Sequence, residues 1–304
     1  MDLEKLIVGN AAGTARDIEH VRLLENTAVT RITIGSITKE ARKGNRAQTY
    51  NFDPNTNSSV NSIGIKNEGM EWYHAAGKIH RMSQIAHDAG KKLWVSVAGF
   101  STSEFAELSE TAFLCGADGV ELNLGCPNIH DGGKSKPIYS YRPEMVEAVL
   151  DEMAMFAFQN KQIGVKISPV PDELIEPLAK IIRRSTVVTE IVAVNTLPGQ
   201  VVAFEDGPYA LNYYPQDSDE LRHDGGLAGA PLKVHGLRVV RMLKEFLPSM
   251  PIIGVGGIFT GADAKEYLDA GATGFECGTS YYNFENPRIF SDILNELVSL
   301  TEDP

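Results

Sequence analysis

Short apolar runs recur along the chain, at residues 6–8, 31–37, 93–97, 119–124, 163–167, 190–194, 252–255 and 274–276. Each is apolar nearly throughout rather than alternating, which suits parallel strands covered on both faces. Longer stretches of helical character lie between them, at 70–89, 103–115, 142–158, 172–183, 231–246 and 261–270. Gly90 and Gly271 stand where two of these should stop, and Thr260 stands just ahead of the last. Ser103 before Glu104 and Glu107 gives the second helix a capping-box look. About eight strands alternating with helices over 304 residues predicts a (β/α)8 TIM barrel, in the α/β class, as a single domain over 1–304. An open doubly wound sheet is the competing arrangement, but no G-x-G-x-x-G follows an early strand. Two segments break the rhythm: 40–62 is polar and asparagine-rich, and 197–230 is rich in Gly, Asp and Tyr. Long strand-to-helix excursions in a barrel lie at its catalytic face, so both are read as active-site loop insertions.

Catalytic groups in barrels gather where the strands end. The residues just past the runs include Asn10-Ala11-Ala12-Gly13, Thr38-Lys39, Asn123-Leu124-Gly125-Cys126-Pro127-Asn128, Lys166 and Asn195-Thr196. Polar groups should not recur at the ends of buried strands unless something polar binds there. Lys39 and Lys166 bring positive charge to an anion. Asn123, Asn128 and Asn195 each offer a donor and an acceptor on one planar group, which suits a heterocyclic amide. Gly256-Gly257 and Gly278-Thr279 fall in the last two units, where barrels frequently hold a phosphate on backbone amides. Tight turns are the plainer explanation of the same glycines.

Cys126 is the sharpest single residue. It lies between Gly125 and Pro127 in a loop flanked by asparagines, where a thiol could act as base or nucleophile. Cys115 and Cys277 read as small buried apolar residues, and His130 as a solvated loop residue. No Cys/His/Asp cluster has ligand spacing, so no metal is expected.

Composition narrows the classes. Lys plus Arg is 28 and Asp plus Glu is 40, a net charge of −12, with 43% hydrophobic residues. That apolar content argues against disorder, and the acidic balance argues against a nucleic-acid partner. No apolar stretch approaches the ~20 residues of a membrane helix, so no membrane partner is expected. The opening MDLEKLIVGN lacks a basic segment followed by an apolar one, so no secretion signal is expected. Three cysteines suit a reducing, cytoplasmic location.

Taken together, these motifs resemble the dihydroorotate dehydrogenases, flavin enzymes of pyrimidine synthesis. The most specific piece is Glu121-Leu122-Asn123-Leu124-Gly125-Cys126-Pro127-Asn128, similar to the family's active-site loop. Supporting it in order are Asn10-Ala11-Ala12-Gly13, Thr38-Lys39, Asn61-Ser62-Ile63-Gly64, Gly164-Val165-Lys166, Asn195-Thr196, Gly225-Gly226-Leu227-Ala228-Gly229, Gly254-Val255-Gly256-Gly257-Ile258 and Gly278-Thr279. The resemblance runs end to end. Cys in the loop marks the soluble class, and the Asn61 and Lys136-Pro137-Ile138-Tyr139 segments look most like the homodimeric, fumarate-using subclass.

The resemblance implies FMN across the barrel mouth, with its phosphate on Gly256, Gly257, Gly278 and Thr279 and with Gly229 beside the ribityl chain. Ala12, Lys39, Asn123 and Lys166 would also contact the cofactor. Dihydroorotate would meet Lys39, Asn61, Asn123, Asn128, Asn195 and Thr196, and the backbone of Ile63, Gly64 and Ile65. Cys126 would remove a proton while hydride passes to the flavin, so activity should rise with pH. Fumarate would take the electrons.

Two departures stand out. Gly125 occupies a place where the family usually has Ser, and 130–135 adds residues before Lys136. They keep open another dihydropyrimidine or activated alkene as substrate. A phosphate-binding isomerase or aldolase using Lys39 or Lys166, and a barrel that binds without turnover, are the readings from other classes.

Overall fold

The structure is a computed structural model that describes residues 5–302 apart from 128, 132–133, 159, 204–207 and 284–285. Eight parallel strands close into a barrel: β1 (Ile7–Asn10), β2 (Arg31–Ile37), β3 (Lys92–Val97), β4 (Gly119–Asn123), β5 (Gln162–Ile167), β6 (Glu190–Ala193), β7 (Ile252–Val255) and β8 (Gly274–Cys277). Each neighbours the next in sequence, and β1 closes the ring on β8 with Ile7 opposite Gly274. This is the (β/α)8 barrel that the sequence predicts.

The main outer helices are α1 (Ile18–Glu25), α2 (Lys78–Asp88), α3 (Thr102–Leu114), α4 (Pro143–Ala154), α5 (Asp172–Arg184), α6 (Lys233–Phe246), α7 (Gly261–Asp269) and α8 (Ile289–Glu302). Ile32 and Ile34 on β2, Val120 and Leu122 on β4 and Val165 on β5 join helix residues such as Leu24, Met82 and Leu178 in one buried cluster. The alternate strand positions face inward, and several are charged. Arg31 on β2 reaches Glu190 on β6, a contact possible only across the barrel interior. The strands therefore alternate more than their apolar character suggests.

Helix boundaries differ in instructive ways. The stretch 70–89 is two helices, Met70–Ala75 and α2, broken at Gly77 with φ of +60°. The cap of α3 is Ser101 rather than Ser103: its side chain accepts from Glu104 N while Glu104 Oε2 accepts from Phe100 N. Thr260 and Asp263 form a reciprocal capping box on α7. Sequence reading did not single out α1 or α8.

Both insertions contain strands. Tyr50–Asp53 and Ser58–Asn61 pair with Asp224–Gly229 and Leu197–Val201 in a four-stranded antiparallel sheet, and Arg46–Gln48 pairs with Asn212–Tyr214. Gly229 makes this joint possible: a Cβ there would lie 2.1 Å from Asn57 O. Among the extra residues after Cys126, His130–Asp131 pairs with Lys134–Ser135. No described helix is long and apolar enough to cross a membrane.

Candidate active site

A cavity lies between the ends of the barrel strands and the inserted strands, at the face where barrel enzymes hold their small-molecule ligands. Gly256, Gly257, Gly278 and Thr279 line it, with Ala12 and Gly229. The backbone amides of Gly257, Gly278 and Thr279 donate to no acceptor among the described residues. Ser59 Oγ and Thr279 Oγ1 lie 2.9 Å apart, and Tyr50 Oη donates to Asn283 Oδ1. These contacts tie the inserted strands to the loop after β8. Burial pushes the Tyr50 phenol up to about 12, so it stays a hydrogen-bond donor.

Lys166 lines the same cavity although only 4% of its side chain is exposed. Burial works against its charge, but the carboxyl groups of Glu121 at 3.3 Å and Glu276 at 3.5 Å counter it, and the ammonium stays protonated. Asn61, Ile63, Asn195 and Thr196 line the cavity as well. Asn195 Nδ2 donates to Asn123 Oδ1 at 3.1 Å, and Asn123 Nδ2 donates to Ser36 Oγ at 2.8 Å. Asn123 thus stands directly behind a lining residue.

Cys126 is half-buried in the loop that follows β4 and lies outside the cavity lining. The loop is firmly pinned. Leu124 N donates to Lys166 O, Ser140 N donates to Leu124 O, and Ser168 Oγ donates to Gly125 O at 2.7 Å. Lys136 bonds Gly99 O, with its ammonium 4.3 Å from the Phe100 ring centre. By contrast, burial pushes the Cys277 thiol up to about 12, which makes it a poor nucleophile. Among the described residues no His/Cys/Asp/Glu group is arranged to hold a metal.

Three more of the expected residues lie outside the lining. Lys39 is outside the lining: its half-exposed ammonium pairs with Glu107 on α3 at 2.8 Å. Gly64 and Ile65 are likewise outside it, and each uses its carbonyl within the insertion, accepting from Arg42 Nε and Asn67 Nδ2. Asn128 lies outside the described residues. Arg16, which sequence reading passed over, lines the cavity, half-buried, with no hydrogen bond or ion pair to another described residue. A basic residue three positions after the Ala12-Gly13 strand end was the available signal.

Gly125 has a structural reason. A Cβ there would lie 2.7 Å from Ser168 N and 2.8 Å from Ile167 C. Gly125→Ser should therefore force the loop off the end of β5 and cost ~1–3 kcal/mol, as overpacking does. Denaturant unfolding measures this, and an unchanged midpoint would mean that the loop yields freely.

Unpartnered amides and a buried ammonium opening onto one cavity suit a ligand with a phosphate and a second electron-rich centre, as in cofactor-dependent barrel enzymes. Sequence comparison defines the kind. The chain belongs to the dihydroorotate dehydrogenase family of flavin-dependent oxidoreductases, whose sequence model matches residues 5–300. It is 32% identical to dihydroorotate dehydrogenase A (fumarate) of Lactococcus lactis subsp. lactis, covering 96% of this chain and 89% of that one. It is 29% identical to the catalytic subunit of dihydroorotate dehydrogenase B (NAD(+)) of Alkaliphilus oremlandii, covering 86% and 78%. The fold matches the crystal structure of the Eimeria tenella enzyme in complex with ferulenol, with a TM-score of 0.79 at 20% identity over 96% of this chain and 80% of that one.

Proposed function

We propose that the protein oxidises dihydroorotate to orotate on bound FMN and passes the electrons to fumarate, working as a homodimer. One observation carries this reading: one cavity joins backbone amides without an acceptor among the described residues, a buried lysine and amide side chains able to read a cyclic imide. The residues fit FMN. Gly257 and Gly278 offer amides to its phosphate without side chains in the way, Thr279 adds a hydroxyl, and Gly256 and Gly229 let the backbone pass close. When bound, the flavin supplies the hydride acceptor.

The protein's own residues do the rest. Lys166 presents positive charge where negative charge develops, which favours the transition state. Asn61, Asn195 and Thr196 would bind the substrate's amides, with Asn123 orienting Asn195 and Asn128 completing the set. The backbone around Ile63, Gly64 and Ile65 would close the pocket. Cys126 Sγ would take the substrate proton. The second cation falls to Arg16 rather than Lys39, because Arg16 borders the cavity and Lys39 is engaged by Glu107.

Adding dihydroorotate anaerobically to the purified protein should bleach its yellow colour, and fumarate should restore it. A yellow protein that bleaches only with another dihydropyrimidine would replace the substrate and leave the cofactor. A colourless protein that cannot take up FMN would overturn the reading.

A further inference from the structure

Five charged side chains fill the barrel interior beneath the cavity: Arg31, Glu121, Lys166, Glu190 and Glu276, all buried. Arg31 reaches Glu190 Oε1 at 2.6 Å and Glu276 Oε1 at 2.8 Å. Glu276 turns its other oxygen to Lys166, so one carboxylate serves both cations. Two cations thus face three carboxyl groups. A fully ionised set would carry a net negative charge in an interior that cannot solvate it, and buried charges of that kind are avoided by taking up a proton.

Glu121 is the carboxyl with the least cationic support. Arg31 grips the other two at short range, whereas Glu121 Oε2 has only Lys166 at 3.3 Å. Its other oxygen lies 2.8 Å from Ser96 Oγ. Ser96 Oγ in turn lies 2.8 Å from Ser36 Oγ, and Ser36 accepts from Asn123, which is bonded to the cavity-lining Asn195. Two hydroxyls therefore connect Glu121 to the layer of side chains just behind the cavity.

We propose that Glu121 is the neutral, protonated member of this cluster, and that Ser96 and Ser36 are the path by which its proton exchanges with the mouth of the barrel. A proton arriving at Ser36 Oγ displaces the Ser36 hydroxyl proton to Ser96 Oγ, and the Ser96 proton passes to Glu121 Oε1. Release runs in reverse, and no electrons move. Burial favours the neutral carboxyl, against the opposing pull of Lys166. The groups facing Glu121 are Ser96 from β3, Lys166 from β5, Glu276 from β8 and Arg31 from β2, with Glu190 on β6 beyond Arg31. With Glu121 neutral, the cluster balances at two charges of each sign, and Lys166 is answered by a carboxylate it shares with Arg31. Glu121 is then a positioning residue, acting through Lys166. That catalytic consequence rests on the flavin reading above; the proton itself does not.

Infrared spectra of the purified protein at neutral pH test this without substrate. A protonated-carboxyl C=O band that shifts in D2O should be present in the wild type and lost in Glu121→Gln. Ser96→Ala should keep the band and slow its shift after transfer to D2O. The melting temperature of wild type minus that of E121Q should fall as pH rises. A carboxyl that binds its proton more tightly in the folded state stabilises fully below the ordinary Glu range, and that contribution is lost as pH climbs through its raised folded value. No band in the wild type, a band that survives in E121Q, or a pH-independent difference would each overturn the proposal. So would failure of E121Q to fold, because the amide replaces one neutral group with another. Unaltered exchange in S96A would overturn the hydroxyl path.

Discussion

Cys126→Ala should still bind the flavin, stay yellow and reduce it ~10²-fold or more slowly, the scale of a lost general base. The backbone just ahead of the sulfur is held by bonds of its own. Leu124 and Gly125 are fixed through their backbone to Lys166, Ser140 and Ser168, and Cys126 itself is only half-buried. The variant should therefore unfold at close to the wild-type temperature. Its pH profile adds a second signature. A general base acts only when deprotonated, so the wild-type rate of reduction should climb with pH and the variant should lose that limb. Stopped-flow reduction by dihydroorotate measures both. Wild-type reduction in the variant would remove Cys126 from the chemistry. Replacing Cys277 provides the control, since its thiol is buried and held protonated.

Lys166→Ala should cost both stability and rate. The lysine is the nearest cation to Glu121 Oε2 and one of two that Glu276 contacts. Breaking a buried pair by deleting one partner typically costs ~3–5 kcal/mol, which thermal unfolding would read as a fall of several degrees. The same ammonium is the only lysine among the described residues that line the cavity. Losing such preorganised charge slows a reaction by ~10²–10³-fold and should shift the flavin absorption. Lys166→Met separates the two effects. It refills the volume and recovers part of the stability without recovering the rate. A variant with wild-type melting, spectrum and rate would refute the role given to Lys166.

The barrel was legible because its outward-facing strand positions are β-branched and apolar, as at Ile32, Ile34, Val120 and Val165. Thr260 and Gly271 marked the ends of α7 because capping is a local property. The inserted strands were not legible. Ser58–Asn61 and Asp224–Gly229 have little apolar alternation of their own, and each becomes a strand only beside the other. Lys39 illustrates a related limit. It lies two residues past β2, yet Thr38 turns inward onto Asn67 and Met70 N bonds back to Thr38 O. That turn sends Lys39 toward Glu107. Sequence order gave its position along the chain but not its direction. The charged interior was legible in principle: Arg31, Glu121, Glu190 and Glu276 all interrupt or flank apolar runs, and a charge in a buried strand must find a partner. Which partner it finds depends on the barrel closing.

The inserted sheet joins Asn61 to Gly226, residues 165 apart in sequence. Bringing such distant segments together in an unfolded chain would sacrifice much conformational freedom for very few bonds. Once the barrel has closed, β2 and β6 hold the roots of both insertions at one mouth of the barrel, facing each other across it, and the remaining search is short. The sheet above the cavity should therefore assemble after the barrel and come apart before it. A mild destabiliser should consequently abolish turnover while the barrel beneath remains folded.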